Sequence, residues 1–199
     1  GNDWRVFYYI RLPRIILVMA VGSALSVTGS VYQSIFHNPL VSPNILGVSA
    51  GAGFGVALGM LVTEGSLFWI YGLSFIFGVI AVILTFFISK MSQGKNVMKM
   101  VLAGIVVSSL FNAMLSILKY LADPLDELPG IVFWLMGGFS RASWQEVKFI
   151  LPLIVVGIII IYLMRWYLNV MSMGDEEAIS MGVNVKLIRI VLVSFSTFM

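Results

Sequence analysis

Five long apolar runs dominate the chain, at 15–36, 45–62, 68–89, 97–121 and 149–167, and a sixth begins near residue 187. Each complete run is long enough, or nearly so, to cross a hydrocarbon core of roughly 30 Å. Inside that core the backbone must satisfy its own hydrogen bonds, so such runs form helices. The shorter apolar stretch 131–139 cannot span and reads as a re-entrant or interfacial piece. The pattern predicts an all-α, polytopic transmembrane helical bundle, a single domain over residues 1–199 with five complete spans and the start of another.

Composition sharpens this picture. Hydrophobic residues make up 60% of the chain and charged residues only 11%, with a mean hydropathy of +1.02. A soluble domain averages about 25% charged residues, so little of this surface is built to meet water. There is no Cys, which excludes disulfides, thiolate metal sites and cysteine nucleophiles. The lone His, His37, cannot form a metal site by itself. The net charge of +3 is scattered, without the basic stripe of a nucleic-acid binder. Gly1 stands where an initiator Met would, no signal-peptide pattern follows it, and the last apolar run is cut short. Both ends are therefore expected to be truncations of a longer protein. Basic residues divide evenly between the two alternating sets of loops, so the positive-inside rule does not choose an orientation.

Several stripes of small and polar residues cross the apolar runs. Gly47, Gly51, Gly55 and Gly59 recur every four positions, a spacing that lets a neighbouring helix backbone approach closely. The string lacks the preceding strand and the spacing of a nucleotide loop. Gly104, Ser108, Asn112, Ser116 and Lys119 read as one polar face, suited either to interhelical hydrogen bonding or to lining a wet pathway. Lys119 can snorkel or pair with Asp123. Gly22, Ser26, Gly29 and Gln33 form a third stripe. It leads to His37-Asn38-Pro39-Leu40, where Pro39 and Pro43 break the helix; the segment fits an ordinary turn or a gate.

Two segments carry unusual charge. In Arg11-Leu12-Pro13-Arg14, Pro13 suits the first position of a helix, which would set Arg14 at the positive end of the dipole. Helix stability does not explain that arginine. Paired arginines suit carboxylates on a partner or lipid headgroups. The segment 173–183 places Asp175, Glu176 and Glu177 in a first helical turn, with Gly182 as a left-handed cap and Asn184 capping the next helix. Two turns are not stable alone in water. This helix therefore docks through Ala178, Ile179 and Met181, either on its own chain or on another subunit.

Taken together, RLPR at 11–14, Gln33 with NPL at 38–40, PNILGVSAGA at 43–52, LAG at 102–104, FWLMGGF at 133–139 and MGDEEAISMGV at 173–183 resemble the FecCD family of binding-protein-dependent ABC importer permeases, including BtuC-like members. Order and spacing agree over nearly all of the chain. The resemblance implies a multi-pass subunit of the cell inner membrane that dimerises with itself or a sister permease. It implies that a periplasmic or lipid-anchored substrate-binding protein docks at Arg11 and Arg14. Asn38, Leu40, Asn96 and Val97 would form the cytoplasmic gate, and Gln33, Ser108, Asn112 and Ser116 would line the pathway. Gly174, Asp175, Glu176, Ala178, Met181 and Gly182 would couple to cytoplasmic ABC ATPase subunits. The expected cargo is an iron-siderophore-type chelate, with cobalamin or haem as alternatives. No cofactor is expected, and hydrolysis of ATP would fall to the partner, because this chain has no phosphate loop.

The main competing class is an ion-gradient-driven secondary transporter. Such proteins place ionisable groups in mid-membrane. The runs at 15–36, 45–62 and 68–89 contain none between their ends. An intramembrane enzyme would need a nucleophile–base or carboxylate pair that the sequence does not offer.

Overall fold

The computed structural model describes residues 2–39, 41–63, 66–91, 96–140 and 142–198. The described residues are helical almost throughout, as the apolar runs predict. The helices are α1 (Asn2–Val6), α2 (Leu12–Phe36), α3 (Val48–Val62), α4 (Leu67–Met91), α5 (Asn96–Leu121), α6 (Glu127–Met136), α7 (Trp144–Leu163), α8 (Arg165–Met173), α9 (Asp175–Ser180) and α10 (Val185–Phe198). Among the described residues, four stretches are long and apolar enough to cross a membrane: Asp3–Phe36, Leu67–Met91, Met98–Leu121 and Trp144–Leu163. The helices gather into two compact units, Gly1–Pro43 with Gly138–Met199, and Asn44–Gly137.

The second unit is built around α3, whose fifteen residues reach only about 22 Å and fall short of the bilayer core. Lipid tails are as apolar as the side chains, so helices associate here by close packing. The glycines provide it. A Cβ on Gly51 would lie 2.5 Å from the Phe77 carbonyl, one on Gly55 would overlap the Leu73 carbonyl, and one on Gly59 would sit 2.9 Å from Ile70 Cα. The partner numbers fall as the glycine numbers rise, so α3 and α4 run antiparallel with their backbones in contact. Phe54 fills the space beyond, edge-on to Phe77 at 4.8 Å and tilted against Phe111 of α5 at 5.7 Å. Gly47 turns the other way. It takes the left-handed conformation at φ 78° and faces Val107 and Ser108 of α5.

The polar stripe on α5 does not share one face. A helix turns about 100° per residue, so each step of four rotates the stripe by about 40°. Gly104 is buried beneath the short 3₁₀ turn Pro43–Leu46, where a Cβ would overlap the Ile45 carbonyl. Ser108 is half-buried, and Asn112 and Ser116 have rotated outward to exposed positions. The stripe on α2 steps by four, three and four, which nearly cancels the drift. Gly22, Ser26 and Gln33 are all exposed, Gly29 is half-exposed, and a Cβ on Gly22 or Gly29 would meet nothing within 4 Å.

Three expected boundaries shift. The first helix does not start at Pro13. Helical backbone runs from Asn2 through a π-turn, Phe7–Arg11, into α2. In that turn the Leu12 N–H reaches back five residues to the Phe7 carbonyl. The next position in the same ladder belongs to Pro13, which has no N–H to offer Tyr8, and the wider turn gives its ring room. The Tyr8 carbonyl instead accepts from the Trp144 indole at 3.0 Å, with the two rings 5.2 Å apart. The last complete span begins at Trp144, because Ser143 and Glu146 form a capping box that recruits the polar residues before Phe149. It ends at Leu163, short of the expected 167; α8 then starts at Arg165, beside interfacial Trp166 and Tyr167. The short piece expected at 131–139 is α6. It starts at Glu127, with Pro129 tolerated in its first turn, and stops where Gly137 and Gly138 take positive φ.

Two outcomes test this packing in the full-length protein. Gly55→Leu should cost about 1–3 kcal/mol, read as a lower melting temperature in detergent, because it drives side-chain atoms into the α4 backbone. Gly22→Ala should be neutral or stabilising by up to about 1 kcal/mol, since helix propensity improves and nothing is displaced. Separately, Trp144→Phe should cost about 1 kcal/mol by stranding the Tyr8 carbonyl. That cost should shrink when Pro13→Ala restores a backbone donor, and a double-mutant cycle of melting temperatures measures the difference.

Candidate functional site

In the first unit the residues singled out from sequence lie at the two ends of α2. At one end Arg14 is exposed, yet its guanidinium is engaged. Nε donates to the Phe139 carbonyl at 3.0 Å and Nη2 to the Ser140 carbonyl at 3.1 Å. This side chain therefore holds the segment leading into α7, a role that charge reasoning missed. Arg11 closes the π-turn and is exposed. The Trp144–Tyr8 bond joins the same two elements a few residues away.

The other end of α2 lies 23 residues beyond Arg14, roughly 35 Å along the helix. His37 caps α2 in the left-handed conformation at φ 49°, with its N–H on the Gln33 carbonyl. Its Nε2–H donates to the Met171 carbonyl at 2.7 Å. Met171 stands in the last turn of α8, where carbonyls lack helical partners. The imidazole thus ties the end of α2, next to the expected gate residue Asn38, to the helix that leads into 173–183. The Asn38 N–H also returns to the Gln33 carbonyl, at 3.3 Å, and its own carbonyl accepts from Val41. Leu40 lies outside the described residues. Asn96 and Val97 form the first turn of α5, in the other unit, and their side chains lie outside what the structure describes.

An open groove of about 520 Å³ follows the exposed stripe of α2 and is lined by Ser26, Gly29, Ser30, Gln33, Pro39 and Ser42. The serine hydroxyls of this face bond to their own helix, Ser26 to the Gly22 carbonyl and Ser30 to that of Ser26. Gln33 belongs to this unit. Ser108, Asn112 and Ser116 belong to the other, with the Ser116 hydroxyl on the Asn112 carbonyl. Beyond α5, Asp123 directs its carboxylate to the Leu125 N–H at 2.7 Å.

The segment 173–183 forms α9 with the expected caps. Gly182 takes φ 78°, its N–H bonds to Ile179 at 2.9 Å, and the Val183 N–H reaches back to Ala178 at 3.0 Å, the paired bonds of a Schellman motif. Asn184 Oδ1 accepts from the Leu187 N–H at 3.2 Å and so starts α10. A second partner was invisible in the sequence. Asp175 Oδ1 sits 2.7 Å from Nη2 of Arg189, whose residue is only 5% exposed. The helix is thus held by its own chain and needs no other protein to form. Ala178, which the family resemblance set among the ATPase-coupling residues, is 0% exposed, so it packs on its own chain, the first of the two alternatives. Ile179 and Met181 remain outside at 64% and 52%, beside exposed Glu176 and Gly182. Gly174, at φ 136°, makes the turn from α8 into α9.

Comparison with known proteins gives one consistent answer. The sequence profile of the FecCD transport family matches residues 1–199. The chain is 35% identical to the molybdate import system permease protein MolB of Haemophilus influenzae, over 96% of this chain and 57% of that protein. It is 34% identical to the iron(3+)-hydroxamate import system permease protein FhuG of Bacillus subtilis, over 96% of this chain and 59% of that one. A solved inward-facing metal-chelate type ABC transporter superposes with a TM-score of 0.92 at 34% identity, covering 99% of this chain and 62% of its own. The chain therefore spans less than two thirds of the length of these relatives. With its membrane-crossing helices it is part of a multi-pass inner-membrane protein. The chain belongs to the FecCD transport family.

Proposed function

We propose that the protein is the membrane-spanning permease of a binding-protein-dependent ABC importer, and that its cargo is an iron-siderophore-type metal chelate. The observation that carries the reading is the separation of two specialised ends on one unit. Arg11 and Arg14 stand at one end of α2, and His37, α8 and α9 stand at the other. In this reading the arginine end meets a periplasmic or lipid-anchored binding protein. The α9 end, with Glu176, Ile179, Met181 and Gly182 outward, meets a cytoplasmic ATPase that carries out all ATP hydrolysis, so this chain is not an enzyme. The turn at Asn38 and Leu40 serves as the gate together with Asn96 and Val97. A second permease, a copy or a sister, completes the pathway. Gln33, Asn112 and Ser116, exposed in their own units, and half-buried Ser108 supply its polar lining.

These lining groups are neutral hydroxyls and amides. They suit a large cargo already wrapped by its chelator better than a bare cation, which calls for carboxylates or carbonyl cages. An oxyanion would draw on guanidinium or ammonium donors instead. The relatives are named for molybdate, hemin, vitamin B12 and iron(3+)-hydroxamate import alike, so the neutral lining and not the comparison carries the choice of cargo.

Reconstitution of the full-length permease with its ATPase and binding protein in liposomes tests the assignment. Uptake of a ferric hydroxamate should require ATP and survive ionophores that collapse ion gradients. Uptake that ignores ATP and stops with the ionophore would replace this reading with a secondary transporter. Preferential uptake of molybdate, haem or cobalamin would replace the cargo alone. At the docking end, Arg14→Lys should weaken binding-protein affinity nearly as much as Arg14→Ala, about tenfold or ~1.4 kcal/mol. An ammonium cannot serve both carbonyls in the geometry of the guanidinium. Arg11→Lys should retain most of the affinity. Titration of binding protein onto the reconstituted permease measures all three, and equal tolerance of Lys at both positions would leave Arg14 with a charge role only.

A further inference from the structure

We propose that the Asp175–Arg189 ion pair makes α9 and α10 a single lever, so that displacement of α9 is passed into the transmembrane part of the chain. The inference rests on the importer reading above and adds positioning residues to it.

The geometry of the connection carries the argument. The chain joins α9 to α10 through the turn 181–184, at the C-terminal end of α9. Gly182 in that turn is left-handed, and a Cβ there would meet nothing within 4 Å. The Schellman bonds of that turn tie it to the end of α9. Asp175 lies at the opposite end of α9, in its first turn, and binds Arg189 of α10 at 2.7 Å. The helix is thereby fastened to α10 at both ends. It cannot rotate about the Gly182 joint without breaking the pair or moving α10 with it.

The placement of Arg189 argues against a casual surface contact. It stands in the apolar run that begins at Val185, and its residue is 5% exposed, whereas the neighbouring Lys186 is exposed. A buried cation is costly unless paired, and in a membrane-directed helix it marks a working residue. Asp175 is 37% exposed at its side chain, so α9 can carry its carboxylate while keeping an outer face for a partner. A single Nη2–Oδ1 bond is formed, so an ammonium of suitable reach can replace the guanidinium.

The test uses the full-length permease assembled with its ATPase and binding protein in liposomes, with cargo uptake and ATP hydrolysis measured together. Arg189→Met removes the buried charge and keeps an apolar stem. Asp175→Asn keeps the shape and removes the anion. Arg189→Met should preserve assembly and ATP hydrolysis, and both variants should lower uptake per ATP by about tenfold, within the usual range for coupling between sites. Arg189→Lys should stay near the parent ratio. A parent ratio in both uncoupling variants overturns the link, as does an assembled Arg189→Lys complex as poorly coupled as Arg189→Met. If Asp175→Asn fails to assemble because it strands the arginine, Arg189→Met decides alone, since it leaves no buried charge. A parent complex without ATP-driven uptake would overturn the importer reading itself, which separates that failure from failure of the link.

Discussion

A backbone carbonyl that leaves a helical ladder needs another donor, and that constraint organises this chain. At each of four breaks in regular structure a side chain of the same unit supplies the missing donor. The Tyr8 carbonyl, stranded by Pro13, receives the Trp144 indole. The carbonyls of Phe139 and Ser140 receive Arg14. That of Leu46, at the end of the 3₁₀ turn, receives the buried Thr85 hydroxyl at 3.0 Å. That of Met171 receives His37. These bonds fix where loops and helix ends sit; of the residues the sequence marked as functional, Arg14 lies on them and Arg11 and Asn38 beside them.

What could be read from sequence follows from local rules. The apolar runs gave the helices, and the glycine periodicity of α3 gave its close contact with α4. Gly182 and Asn184 gave the caps around α9 because capping needs only neighbours within a few residues. What escaped needs knowledge of distant partners. Pro13 looks like a helix start until Trp144, over a hundred positions away, is known to take the carbonyl it frees. Arg14 looks like a free charge until Phe139 and Ser140 appear beside it. Asp175 looks like a dipole anion until Arg189 is found against it, and Ala178 looks available until it is seen fully buried against its own chain. The α5 stripe failed for a different reason: steps of four rotate about 40° each time, so Gly104 packs while Asn112 and Ser116 face outward.

In the second unit the same constraint shapes the start of the short helix α3. The backbone leaves the α-helical pattern at 44–47, and protein covers it closely: Ile45 lies on Gly104, and Gly47 faces Val107 and Ser108. Shortening α3 therefore shifts the burden onto glycines at the contacts. A methyl group at Gly104 or Gly55 would push on backbone, which cannot yield as a flexible side chain can.

The first unit joins rigidity at its middle to adjustable fastenings at its ends. Along α2 the core joins apolar contacts, Ala20 and Ala24 against Ile154 of α7, to two hydrogen bonds with α10, from the Thr28 hydroxyl to the Ser196 carbonyl at 3.3 Å and between the Tyr32 and Thr197 hydroxyls at 3.1 Å. Further polar bonds hold the helix ends. Arg14 and Trp144 hold the entry to α7, His37 holds α8, and Asp175 with Arg189 holds α9 to α10. A hydrogen bond or ion pair is directional and is either made or broken, so it fixes which neighbour an element follows. On the importer proposal, a unit that passes a movement from one face of a membrane toward the other gains from such bonds at helix ends, where a small displacement of a short element decides whether the next one follows. On the same proposal, a partner that pushes the outward side chains of α9 moves α10 with them through Asp175 and Arg189.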